Sequence, residues 1–120
     1  MITVIRTATA FPGMTGEALS WAKEIAALVK RTTGTEQIVC SSFGGMLAEI
    51  AWIGQYDSVG QYDEMRTKVL GDSEYQAALK KARDLFTPDS GRDQIWKHQS
   101  VGSFRQLLLE SQECGACAAT

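Results

Sequence analysis

No stretch of this 120-residue chain approaches the roughly 18 consecutive apolar residues of a membrane span, so no bilayer-crossing segment is expected. Basic residues are not in excess: 12 Lys and Arg stand against 14 Asp and Glu, for a net charge of -2. Such a chain has no bulk attraction for phosphate backbones or anionic lipid, and neither nucleic acid nor a membrane is an expected partner. Histidine occurs once. Cys40, Cys114 and Cys117 make an odd count, and their spacing is not a secreted disulfide framework. The start, Met1 to Arg6, has no basic leader, and Thr3 and Arg6 interrupt its apolar run. That argues against a signal peptide and for a soluble cytoplasmic protein. No Gly-rich phosphate loop, Ser-His-Asp ordering or paired-carboxylate motif stands out. The Cys114-Gly115-Ala116-Cys117 pair has no second Cys-x-x-Cys and no nearby histidine, so it cannot complete a four-ligand zinc site within one chain. No metal and no cofactor are expected.

What is present is ordinary globular composition, 44% hydrophobic and 22% charged. The length suits one domain able to fold without disulfide or metal. The expected boundaries are a domain over residues 1–100 and a C-terminal short helix and tail over 101–120, the helix resting on Phe104, Leu107 and Leu108.

Residues 2–11 are rich in β-branched types and read as a strand, broken by Pro12-Gly13. From Thr15 to about Lys30, Ala18, Trp21, Ala22, Ile25, Leu28 and Val29 recur at helical spacing. Thr15 is a candidate cap. Glu17 suits the first turn, Lys30-Arg31 the last, and Gly34 ends the unit. Two strand-like runs follow, Gln37 to Phe43 and Met46 to Ile53, joined by Gly44-Gly45. Glycine accepts positive φ at both central positions of a two-residue turn, so this reads as a hairpin with Phe43 opposite Met46 and Val39 opposite Ile50. Ser58 with Gln61 forms a capping-box pattern ahead of the stripe Val59, Tyr62, Met65 and Val69. Gly71 stops that helix. Ser73 with Gln76 starts another, with the stripe Tyr75, Ala78, Leu79, Ala82, Leu85 and Phe86. Residues 92–100 read as a last, polar strand.

The order is β-α-β-β-α-β, which predicts an α+β, ferredoxin-like fold: a four-stranded antiparallel sheet with helices on one face. Neither sheet face is uniformly polar. A sheet with one wet face alternates cleanly, so both faces are expected to be covered. One chain supplies helices for one face only. A second copy of the same sheet, related by a two-fold axis, is the simplest cover for the other.

The order of elements, the Gly44-Gly45 hairpin and the stretch from Asp57 to Gln76 resemble the dimeric α+β barrel superfamily over about residues 2–100. That superfamily includes the antibiotic-biosynthesis-monooxygenase, NIPSNAP-like and stress-responsive barrel families, and the resemblance is nearest to the NIPSNAP-like proteins. It implies a homodimer whose two sheets pack into a barrel, with a pocket between each sheet and its helices. Functions in the superfamily include cofactor-free oxygenation of aromatic polyketides, haem breakdown and small isomerisations, and fold does not choose among them. The chain contains no asparagine, so the Asn-Trp-His set of the haem-degrading branch has no counterpart here.

Five residues are candidates for chemistry. His98 could act as a general base on a pocket-lining strand. Glu49, mid-strand, could be an acid or base if covered, or could pair with Arg6. Trp52 and Trp96 could wall a pocket for a flat aromatic molecule, and Arg6 could orient it. Trp21 lies on a helix stripe and reads as core. The leading functional expectation is a non-catalytic homodimer binding a hydrophobic small molecule in a sheet–helix pocket. The alternative is a cofactor-independent monooxygenase or isomerase acting on an aromatic, polyketide-like substrate. A dry cavity of about 300 Å³ or more touching His98 or Glu49 would favour the enzyme.

Overall fold

The computed structural model describes residues 1–99; the expected C-terminal helix, the Cys114/Cys117 pair and Ser100 lie outside the described residues. Helix α1 (Thr15–Thr33) buries Ala18, Trp21, Ala22, Ile25 and Val29, the stripe expected from spacing. Its start corrects the capping expectation. The N-cap is Met14, with no side-chain cap, and Thr15 is already helical. The preceding turn sets the start, for Met14 N–H donates to Phe11 O at 2.9 Å. Its end is Gly34 at φ +77°, donating to Lys30 O at 2.8 Å. Glycine takes that left-handed geometry without the steric penalty of a Cβ.

Strand β1 (Ile2–Thr9) lies between β3 (Glu49–Tyr56) and β4 (Arg92–Lys97), and β2 (Ile38–Ser41) edges β3. The sheet order is β2-β3-β1-β4 and all neighbours are antiparallel. The order and the helix placement match the ferredoxin-like expectation.

The hairpin register differs from the expected one. Val39 pairs with Trp52 and Ser41 with Ile50, two residues from the tight-turn alignment. The connection over residues 42–48 is wider than a two-residue turn. Ser42 Oγ donates to Met46 O at 2.7 Å, Ser42 N–H to Glu49 O at 2.9 Å, and both Gly45 (φ +85°) and Ala48 (φ +60°) are left-handed. Because side chains alternate with period two, a slip of two keeps every side chain on its expected face.

Helix α2 (Val59–Leu70) begins as expected. Ser58 Oγ accepts from Gln61 N–H at 3.1 Å, while Gln61 Oε1 reaches back to Asp57 N–H. Helix α3 (Ser73–Leu79) is capped by Asp72, which accepts from Tyr75 N–H at 3.0 Å, rather than by Ser73. It tightens into a 3₁₀ turn over Lys80–Asp84. The expected stripe survives the change of pitch: Tyr75, Ala78 and Phe86 are buried, with Leu79, Ala82 and Leu85 packed against them.

All the helices sit on one sheet face. That face carries Ile2 and Val4 of β1, and Ile50, Trp52 and Tyr56 of β3, all buried. The opposite face carries Thr3, Ile5, Ala51 and Ile53, half-buried, with Ile38 exposed. Ile38, Ile53 and Ile5 form one cross-strand row on it. Among the described residues, no helix is long and apolar enough to cross a membrane.

Candidate functional site

Between the helix-bearing sheet face and the helices lies a cavity of about 100 Å³. Val4, Trp21, Ile25, Trp52 and Met65 supply its apolar wall. The two indoles meet edge to face at 6.1 Å and 90°, and Trp21 packs on Phe86 at 5.3 Å. Both ring nitrogens are engaged elsewhere: Trp21 Nε1–H donates to Ala78 O at 2.9 Å and Trp52 Nε1–H to Ala22 O at 3.2 Å. The rings therefore present only apolar surface to the cavity.

The polar wall is made by Arg6, Gln37, Tyr56, Tyr62, Arg66 and Tyr75. Arg6 reaches across the β1–β4 pair to Asp93 in a two-pronged bond, Nε to Oδ1 at 2.7 Å and Nη2 to Oδ2 at 2.8 Å. Bonded to Arg6, the Asp93 carboxyl is held below the usual carboxylate range, and the guanidinium is held more firmly protonated in return. Arg66, one helical turn after Tyr62 on α2, sits 6.0 Å from the centre of the Tyr62 ring. Among the described residues it forms no ion pair.

Tyr56 is 3% exposed, and its hydroxyl has no hydrogen-bond partner among the described residues. Gln37 Oε1 is likewise buried and unpartnered. Burial pushes the Tyr56 hydroxyl pKa up, and the neighbouring Gln37 amide opposes this in part. Burial also raises Tyr75. Both phenols are thus neutral hydrogen-bond donors at physiological pH. Gly54 makes room for the first of them, since a Cβ there would stand 2.8 Å from Tyr56 Oη.

The candidates chosen from sequence divide between the two faces. Arg6 and Trp52 line the cavity. His98, Glu49 and Trp96 do not, because they occupy positions that alternate to the opposite face. His98 Nε2 lies 2.7 Å from Thr3 Oγ1. Trp96 is 59% exposed, beside Gln94. Glu49 pairs in register with Thr9, and the Glu49–Arg6 ion pair does not form because the two side chains point to opposite faces. Tyr56, Tyr62, Arg66, Tyr75 and Gln37 were not singled out as site residues from sequence. Tyr62 and Tyr75 sit on helix stripes, a signal shared with plain core residues. The combination Gly54-x-Tyr56, a bare position beside a large ring on one strand face, was the available clue.

A four-stranded antiparallel sheet in this order, with its helices on one side and a cavity between the layers, is a ferredoxin-like α+β domain. Its fold is shared with solved NIPSNAP family proteins. A NIPSNAP family protein with unknown function from Agrobacterium tumefaciens matches with a TM-score of 0.72 at 24% identity, over 85% of this chain and 91% of that one. A second from the same organism matches at 0.74 and 22%, over 87% and 98%. An uncharacterized NIPSNAP domain protein from Burkholderia xenovorans matches at 0.74 and 13%, over 86% and 99%. No family model matches the sequence, and no curated protein matches it. These solved proteins, alike in fold, belong to the group that the sequence pattern resembles.

Proposed function

We propose that this chain is a homodimeric binding protein that takes a small, largely apolar molecule into the cavity between sheet and helices, without transforming it. The observation that carries this reading is the cavity's wall: two indoles with their N–H groups already engaged, and, among the described residues, no histidine or carboxylate in its lining. Such a wall can enclose a flat ring but offers no general base to it. The second subunit is supported by the other sheet face, where Ile5, Ile38 and Ile53 form a row that the described helices leave uncovered.

The enzymatic alternative, a cofactor-independent monooxygenase or isomerase, placed His98 as the base in the pocket. His98 lies on the other face, and the cavity is smaller than the roughly 300 Å³ at which drug-sized sites begin. The binding reading is tested by titrating the purified protein calorimetrically with toluene, phenol and indole. Saturable binding at one site per chain, with a rise in Tm, is the expected result. No binding by any of the three, nor by an acidic or amide analogue of the same size, would overturn it.

A further inference from the structure

Among the described residues two arginines enter the cavity wall, and no carboxylate does. Asp93 is bonded by Arg6 through both oxygens and also feels the charge of Arg66. Arg66 makes no ion pair of its own among the described residues; it lies over the face of Tyr62 and within electrostatic reach of Asp93 and Tyr75, so the two arginines and one carboxylate leave a net single positive charge. A half-buried, unpaired guanidinium beside an apolar cavity is costly unless something balances it. A second polar group waits in the same wall. The Tyr56 hydroxyl is buried in a residue 3% exposed; the Gln37 amide is its polar neighbour, yet neither the hydroxyl nor Gln37 Oε1 makes a hydrogen bond of good geometry among the described residues. Buried hydroxyls without a partner are uncommon in folded proteins, and each one calls for an explanation.

We infer that the molecule held in this cavity is a monoanionic carboxylate on a single ring, its carboxylate facing Arg66 and the Tyr56 hydroxyl and its ring lying against Trp21 and Trp52. This rests on the binding reading above and names the ligand class for it. Three features select the class. The charge left over in the wall is a single positive one, which matches a carboxylate better than a doubly charged phosphate monoester. The planar guanidinium fork suits a planar carboxylate. The volume, about 100 Å³, is that of about three waters at liquid density, which limits the ligand to a single small ring with its acid arm toward the polar wall. The Gln37 amide, also unpartnered through Oε1, completes the polar wall and can present either its oxygen or its NH₂ end to a ligand.

The test pairs two probes of equal shape, phenylacetate and phenylacetamide, titrated by calorimetry into the wild type and the variants Arg66→Met, Arg66→Lys and Tyr56→Phe. In the wild type the acid should bind about tenfold tighter than the amide, the scale of a charge-assisted hydrogen bond. Arg66→Met should erase that preference and leave the amide's affinity nearly unchanged, while Arg66→Lys keeps part of the preference. Tyr56→Phe should weaken the acid several-fold. Equal binding of acid and amide to the wild type, or an unchanged ratio in Arg66→Met, overturns the inference and leaves the pocket reading standing. Failure of both probes where toluene, phenol or indole binds also overturns the inference alone. Failure of all five compounds overturns both.

Discussion

Arg6 and Arg66 have the same side chain and neighbour the same cavity, yet their charges are placed differently. Arg6 shares a cross-strand position with Asp93, so geometry hands it a partner. Arg66 sits on the stripe side of α2 among tyrosines and has none among the described residues. The Arg6–Asp93 pair is 39% exposed on each side, so its net worth is about 0.5–1 kcal/mol. The Asp93 pKa is depressed in the folded state. Its stabilisation is therefore complete above the unfolded value near 4 and is lost as pH falls through the lower folded value. Asp93→Asn should cost about that amount at pH 7, and the gap to wild type should narrow as pH falls below the unfolded carboxylate value near 4, as measured by urea unfolding over that range. At this scale the sequence was only partly legible. Arg6 and Trp52 could be placed at a pocket. His98, Glu49 and Trp96 could not, because strand alternation sends a residue to one face or the other and the sequence alone leaves open which face meets the helices.

Element boundaries were readable where a side chain acts locally. The Ser58–Gln61 box and the left-handed Gly34 both appear where composition puts them. Where two polar residues adjoin, the choice between them depends on backbone geometry. Asp72, not Ser73, takes the extended cap conformation and accepts from Tyr75 N–H. Asp72→Ala should lower stability by about 1 kcal/mol, and Ser73→Ala by much less; thermal denaturation of the two variants separates them. An equal effect would show that Ser73 shares the cap. The β2–β3 connection teaches the same lesson differently. Gly44-Gly45 signals a reversal, but the Ser42 hydroxyl and the left-handed Ala48 widen it into a seven-residue loop over 42–48. The pairing moved by an even number of residues, so the sorting of side chains between faces survived an error in register.

For the molecule as a whole, the layered fold was legible because the alternation of strand and helix periods admits few arrangements. The homodimer is a proposal resting on the uncovered sheet face. Ile53 is the centre of its apolar row, flanked by Ile38 and Ile5. Light scattering should give the wild type a mass twice the 13.1 kDa of one chain. Ile53→Lys should bring it to a single chain, because a buried ammonium without a partner is expensive. A wild-type protein that already runs as one chain removes the second subunit.

The three tryptophans are divided between the layers: Trp21 and Trp52 buried beside the cavity, Trp96 standing 59% exposed on the opposite face. Their light emission is divided with them. In a single chain the buried pair should emit toward the blue and the exposed ring toward the red, which would give the protein its own two-colour readout. The proposed ligand, entering between the layers, should perturb the blue component, and the proposed second subunit, closing over the bare face, should shift the red one, so each proposal can be followed without attaching a dye.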